Sequence, residues 1–564
     1  MASGRENFEV QVMRDGRWVT ETVLPRDAEA LQAAKKFLGD KRCAGARVVR
    51  NWANRDGTMA ETVVFQKTQA VSDEAPINIV QIDKAPTLCA KPKDFFALDS
   101  RRVMNRVLRN YLEKVTLTPT EILHSHKELR RLRETGNLVF SAVDHVAGLQ
   151  VRDSDQGSKQ RREEILAALD QIQTRIRRAE ERELPALGDR FSAVVAKVAK
   201  LPDETPEYLA MIVLSRELIG IRDWLGKLEK LCDLAAAETD GEAMLLLDTV
   251  IADVLGANVV QELLGWQPSL GSAIVAMIDL ADGRFDPAKS GAQDVAAKLN
   301  ALLAGDRLPA SRDALIDRAL RQLRSPNPLH RQEPAKEMEE YRRVLERLLG
   351  PGGLRAGAEA AEALTARGCR FVEQGGLTGR RAAITNTARA MPDQAHGVMY
   401  LAELTKTEFA EDHLPDILKE LDRVFGARVI GELCRRSMMP KDRLIAATNA
   451  FNAATQSALP DPVKHKVAEH IDGVLERYLV DEKIIDKLDD PGSPLRDRAV
   501  RLVKFCGAGV LPEGKALARA RRRIVELLRQ PNFDRHFIEG ITEPTKAEKA
   551  LRDFHALLIK AGIA

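Results

Sequence analysis

The amino-acid sequence predicts a mainly α protein: a small N-terminal α+β module followed by a large multi-helical body, either a bundle or an irregular α-solenoid. Three observations predict it. Period-two alternation of apolar and polar residues is confined to the first seventy residues, whereas apolar positions three and four apart recur almost without break after Asp99. The length, 564 residues, also exceeds the roughly 250 to 300 residues at which single hydrophobic cores stop growing. The expected division is a module over 1–68, a linker over 69–98, and helical domains over 99–350 and 351–564.

In the module, Phe8, Val10 and Val12 alternate with Glu9, Gln11 and Met13, and RWVTETV continues the pattern after the turn signal Asp15-Gly16. DAEALQAAKKFL sets Leu31, Ala34, Phe37 and Leu38 on one helical face, with Asp27 as N-cap. ARVVRNW and AETVVFQ form a second hairpin around Asp56-Gly57. Strand, strand, helix, strand, strand implies an antiparallel sheet whose single helix covers one face. Trp18 or Trp52, depending on register, lines the other face, which either binds a ligand or partner, packs on the helical body or meets water.

Pro76, Pro86 and Pro92 mark the linker, in which INIVQI is expected to form one short strand. Beyond it, Ser100 is expected to cap a helix carrying Val103, Met104, Val107, Leu108, Tyr111, Leu112 and Val115 on a broad apolar face. Further helices are expected near 119–131, 137–150, 158–184, 189–200, 206–236, 242–255, 268–281, 312–324 and 335–349. Ile165, Leu169, Ile172, Ile176 and Ala179 have coiled-coil spacing over about two heptads only, which reads as a helical hairpin within a bundle. GPGGLRAG at 350–357 reads as a hinge. Helices then follow near 356–367, 379–390, 394–409, 414–424, 441–457, 462–479, 494–505, 513–529 and 545–561, with no fixed 30–45-residue repeat.

Composition narrows the function classes. Hydrophobic residues at 44% and charged residues at 30% describe a soluble globular chain. Lys plus Arg total 86 against 83 Asp plus Glu, so nucleic-acid binding would need a local basic patch. Aromatics at 4% leave few platforms for stacked bases. Cys43, Cys89, Cys232, Cys369, Cys434 and Cys506 are dispersed without CxxC spacing, MASGRENFEV lacks an apolar signal core, and no run approaches the ~20 apolar residues that span a bilayer. A cytoplasmic location follows as the expectation. High Ala and Arg usage beside only 5 Tyr and 4 Trp suggests a GC-rich bacterial genome.

Several motifs approach known chemistry and miss it. In GVLPEGKA, Gly509, Gly514 and Lys515 have phosphate-loop spacing, but Ala516 replaces the magnesium-binding hydroxyl, Glu513 opposes phosphate and Pro512 lacks an N–H. MLLLD (244–248) resembles the acidic partner strand yet reads as helix. In KHKVAEH, His470 lies five residues from His465, roughly 140° around a helix, and so off the face that His465 and Glu469 share. His124 and His126 with Asp144 and His145 could meet across a helical pair, although residues two apart on a helix diverge. WQPSLG lacks the first glycine of a nucleophile elbow, and the glycines from Gly350 to Gly379 follow a helix where a dinucleotide fingerprint follows a strand. No catalytic residue, cofactor or metal ligand is therefore assigned.

Arginine clusters remain. In ALARARRRIVELLRQ (516–530) the helical wheel places Leu517, Ala520, Ile524, Val525, Leu527 and Leu528 on one side and Arg519, Arg522, Arg523, Glu526, Arg529 and Gln530 on the other. Arg521 falls between Leu517 and Leu528, where a guanidinium is tolerated only if paired, so an acidic partner is expected, within the fold first. Arg102, Arg106 and Arg109 form a second stripe, expected to be a solvated face with an Arg109–Glu113 pair. Arg101 and Arg102 stand in a first turn that disfavours cations and so hint at an acidic neighbour or a docked anion.

The expected function is that of a non-enzymatic cytosolic regulator or scaffold, in signalling for example, that binds other proteins through helical surfaces and the N-terminal sheet. Arg102, Arg106, Arg109, Arg519, Arg521, Arg522, Arg523, Trp18 and Trp52 are the candidate partner-binding residues. Two alternatives stand beside it: a nucleic-acid-binding regulator using the arginine faces, and an enzyme whose site is assembled between helices.

Overall fold

The computed structural model describes residues 6–14, 17–38, 45–53, 59–68, 77–86, 88–152, 154–350, 352–373 and 375–563. They form two compact units, Met1–Asn78 and Ile79–Ala564.

In the first unit, β1 (Asn7–Arg14) and β2 (Arg17–Leu24) pair as a hairpin, α1 (Asp27–Leu38) follows, and β3 (Gly45–Ala53) pairs with β4 (Met59–Thr68). All pairings are antiparallel and the spatial order is β2-β1-β3-β4, so the first strand of each hairpin is central. Both predicted Asp-Gly turns lie outside the described residues. Phe8, Val10, Val12, Ala46 and Val48 alternate onto one face and bury against Ala30 and Ala34 of α1. Asp27 is the first helical residue, one place inside the cap position expected for it.

Residues 77–86, where INIVQI was expected to form a strand, have no strand assigned. They run as a strap held by single hydrogen bonds, Val80 N–H to Val107 O at 2.9 Å and the Ile82 main chain to His145 Nε2 at 3.0 Å. The reason is the absence of a neighbouring strand: a lone extended segment has no ladder to join.

Among the described residues the regular structure of the second unit is α-helical apart from short 3₁₀ helices and one minimal hairpin, Leu349–Gly350 with Gly353–Leu354, at the segment read as a hinge. Twenty-seven α-helices lie within its described residues. They pack in relay. Gly241–Leu255 lies on Pro309–Arg324, which lies on Gly357–Gly368, then Gln394–Leu404, Pro440–Thr455, Asp461–Asp481 and Lys515–Leu528, ending on Leu495–Gly507 and Pro544–Lys560. From Gly241–Leu255 onward this succession is the logic of an irregular α-solenoid without a repeating unit, whereas Leu98–Val107 packs across sequence on Gly241–Leu255 and pairs with Asp317 of Pro309–Arg324.

Several long helices expected from periodicity are broken. The 99–115 face is shared by Leu98–Val107 and Arg109–Val115, separated at Leu108, and the first starts ahead of Ser100, whose hydroxyl donates to Asp94 O at 2.8 Å where a cap was expected. The 119–131 span divides into Pro119–Leu123 and His126–Arg133, and 206–236 divides at Asp223, which caps Trp224–Ala237 by accepting from Gly226 N–H at 2.6 Å. No helix among the described residues is long and apolar enough to cross a membrane.

Candidate partner-binding site

The register of the front sheet separates its two tryptophans. Trp18 pairs with Met13 and shares the uncovered face with Glu9, Gln11, Thr20, Arg47, Val49 and Asn51, whereas Trp52 alternates with Ala46 and Val48 onto the helix side. On the uncovered face the polar side chains form one network. Arg47 Nε donates to Gln11 Oε1 at 2.7 Å, Gln11 Nε2 donates to Glu9 Oε2 and Thr20 Oγ1, and Asn51 Nδ2 donates to Glu9 Oε1 at 3.0 Å. The Arg47 guanidinium lies 4.6 Å from the Trp18 ring centroid, a cation–π stack that orders both side chains. Val23 and Val63 stand exposed on the same face. Trp52 is stacked by Arg50 at 5.4 Å on the side of α1.

The arginine stripe on Leu98–Val107 is not a solvated face. Arg106 makes a bidentate pair with Asp317 at 2.9 and 2.7 Å, and Arg109 binds Glu113 at 2.8 Å and Asn258 Oδ1 at 2.6 Å. Arg102 pairs with Asp99 at 3.3 Å. Burial alone would raise the Asp317 carboxyl, but the guanidiniums of Arg321 and Arg106 hold it below the usual carboxylate range. The expected Arg109–Glu113 pair is present, and the stripe is half-buried because Arg106 and Arg109 also tie helices together, whereas Arg102 pairs within its own helix. The acidic neighbour hinted at by the first turn is Asp253: Arg101 is buried, bonded to it at 2.7 Å, and both contact Thr120.

The second cluster is closer to expectation. Arg521 has an internal partner, Glu513, held bidentately at 2.7 and 2.8 Å, and it also donates to Ala561 O. Its side chain is 27% exposed, so the position is a groove edge and not core. Arg523 binds Glu526 and the buried Asp489, Arg519 approaches Glu476 at 3.7 Å, and Arg522 is exposed.

The near-motifs resolve into structural roles. Where a phosphate loop would hold its anion, at the N-terminus of Lys515–Leu528, sits the protein's own carboxylate: Asp472 accepts from Lys515 N–H at 2.6 Å and Ala516 N–H at 3.1 Å. A Cβ on Gly514 would meet Asp472 at 2.6 Å, so a glycine is needed there for close approach. Lys515 Nζ pairs with Glu469. His465 bonds to Asp461 O and His470 to Ala427 O, so these side chains diverge. MLLLD lies within Gly241–Leu255, and Asp248 caps Pro309–Arg324 through Ala310 N–H and Ser311 N–H. Ser269 is the N-cap of Leu270–Ala281. Gly353, Gly357 and Gly376 take positive φ at corners.

His124, His126, Asp144 and His145 do not converge: His126 N–H bonds Glu180, Asp144 pairs with Arg162, and His145 meets Ile82. His124 instead belongs to the most polar buried stretch, 117–125, in which every residue is buried. Its Nδ1 donates to Thr120 O at 2.7 Å, and its ring packs 5.1 Å from both Phe96 and Tyr208. Burial pushes His124 down to about 3, so the imidazole is neutral. Beside it Glu121 and Lys227, both fully buried, form an ion pair. Lys227 also donates to Thr116 O at 2.6 Å, and Glu121 accepts from Thr118 N–H at 2.7 Å. Burial drives the Lys227 ammonium down and the Glu121 carboxyl up, each opposed by the partner's charge.

Two more buried cations went unnoticed in the sequence. Arg367 donates to the carbonyls of Leu323, Ser325 and Asn327 at the C-terminus of Pro309–Arg324, and Arg318 donates to Leu255, Gly256 and Ala257 at the C-terminus of Gly241–Leu255. For Arg367 and Lys227 the signal was present in the sequence. Arg367 follows Leu364 by three and Ala360 by seven, and Lys227 precedes Leu231 by four and Leu234 by seven, the apolar-face logic that singles out Arg521. Among the described residues no group of three or more His, Cys, Asp or Glu is placed to hold a metal ion. No protein-family model matches this chain, and neither a curated protein nor a solved structure shows significant similarity to it.

Proposed function

We propose that this chain is a cytoplasmic regulatory or scaffold protein, non-enzymatic, that binds a protein partner through the surfaces of its helical body and the uncovered face of its front sheet. The relay packing of the body carries the reading. From Gly241–Leu255 onward, rods laid one on the next expose a long succession of helix faces, the kind of surface solenoids use to hold partners. The charged groups between the rods act as helix caps and ion pairs, as Asp248, Asp472, Arg318 and Arg367 illustrate, and this suits a rigid platform. Trp18 held over Arg47 supplies a pre-ordered aromatic contact of the type that dominates interfaces. Four of the five described cysteines are buried free thiols, which suits a reducing compartment.

The nucleic-acid alternative draws less support. Arg106, Arg109, Arg521 and Arg523 already hold carboxylates, and releasing them to phosphate would forfeit those pairs. Affinity capture on the intact chain at moderate salt, with and without nuclease, followed by rebuilding the complex from purified components, tests the reading. A discrete protein that rebinds one-to-one, resists nuclease and is weakened by Trp18→Ala supports it. A retained set that vanishes with nuclease, or retention of a metabolite alone, overturns it.

A further inference from the structure

Helices Leu98–Val107, His126–Arg133, Leu138–Gln150 and Ser158–Glu180 meet around a cavity of about 100 Å³ instead of closing on one another. Its walls are apolar, with Val107, Leu132, Ala142, Val143, Ile165 and Leu169 facing in. Ile165 and Leu169 are two of the residues whose spacing suggests a coiled-coil seam, so the seam here borders a void. Protein interiors close-pack and hold few voids larger than water. An apolar chamber of this size is comparable with, and somewhat smaller than, the engineered 150 Å³ cavity that takes up benzene.

The polar groups of the chamber are few: Cys89, Ser100, Arg133, Gln150 and Arg161. Among the described residues the only charged side chains in the lining are the guanidiniums of Arg133, which pairs with Asp170, and Arg161, and no carboxylate faces in. Arg161 is 3% exposed. Its Nε donates to Gln150 Oε1 at 2.9 Å, Nη1 to Glu164 Oε2 at 3.0 Å and Nη2 to Cys89 O at 3.2 Å. A guanidinium has five N–H groups, so two of Arg161 have no acceptor among the described residues. Glu164, its only carboxylate partner among the described residues, is 42% exposed and is not part of the lining. The chamber thus combines an apolar volume with a buried cation that retains donor capacity.

We propose that this cavity binds a small amphipathic carboxylic acid, with an apolar body of about six heavy atoms among the valines and leucines and its carboxylate on the spare N–H groups of Arg161. The inference stands apart from the scaffold reading. Because Arg161 also holds Cys89 O, the acid binds against the segment that follows the 77–86 strap.

Hexanoate is the probe, with 1-hexanol as the neutral match and acetate as the match lacking an apolar body, each titrated calorimetrically into the full chain. Saturable hexanoate binding, at least tenfold tighter than hexanol and absent for acetate, is expected. Ala142→Phe fills the chamber and should abolish binding while circular dichroism and melting temperature are kept. Arg161→Gln should weaken hexanoate at least tenfold and leave hexanol unchanged; if that variant fails to fold, the hexanol comparison and Ala142→Phe decide. No hexanoate binding at millimolar concentration, equal binding by a folded Ala142→Phe protein, or hexanol binding as tight as hexanoate would each overturn the proposal.

Discussion

Helices Leu98–Val107 and Lys515–Leu528 carry the same signature, arginines recurring at short spacing beside an apolar stripe, yet their charges meet different fates. In the first, Arg101 and Arg106 reach carboxylates 152 and 211 residues away, and the Arg101–Asp253 pair is almost wholly removed from water. In the second, Arg521 finds Glu513 eight residues back, and that carboxylate is 76% exposed. Local partners on a wet surface add little to stability, whereas a buried pair, once formed, makes each charge dependent on the other. An arginine stripe therefore says little about function until the burial of its partners is known.

Removing one side of each pair is the sharpest way to break that contrast. Asp253→Ala leaves the Arg101 guanidinium buried without its carboxylate and is expected to cost about 3–5 kcal/mol in denaturant unfolding. A loss below 1 kcal/mol would place Arg101 in the same class as the surface arginines.

The buried stretch 117–125 supplies a second, smaller effect through pH. His124 is pushed down to about 3 in the folded chain, against about 6.5 when unfolded, so on acidification the unfolded state takes up the proton first. The stability contribution is complete above pH 6.5 and is lost progressively as pH falls towards 3. Linkage predicts a loss of about 2 kcal/mol between pH 7 and pH 5 from this group, and His124→Gln should remove that share of the slope. An unchanged slope in the variant would show that the imidazole takes up its proton equally in the folded and unfolded states.

Arg521→Ala completes the series with the smallest change, under about 1 kcal/mol, because Glu513, 76% exposed, returns to water. A loss of 3 kcal/mol or more would erase the difference between the two helices.

Periodicity was a sound guide wherever it was uninterrupted. The alternation of Phe8, Val10 and Val12 placed the covered sheet face, and Ile165, Leu169, Ile172, Ile176 and Ala179 are all buried. It was a poorer guide to breaks. The Asp223 cap interrupts an apolar pattern that otherwise runs from 206 to 236, and the Gln293–Ala304 helix was missed although Val295, Ala296, Leu299, Leu302 and Leu303 carry the helical spacing. INIVQI has the composition of a strand but no strand to pair with, and strand formation requires a partner that local sequence does not encode. The assignment of Trp18 and Trp52 to opposite faces was equally out of reach, since a one-residue change of register exchanges the faces.

Sequence by itself determined that apolar residues recur with period two in front and at helical spacing behind, hence a small sheet and a long set of amphipathic rods, because both patterns are properties of neighbouring residues on one backbone. Only the tertiary structure decided which of those rods' charges are buried, which carboxylate answers Arg101 or Arg106, and that four helices leave a chamber beside Arg161. Desolvation and Coulomb energy depend on distance and surroundings in three dimensions, and a helical wheel records neither.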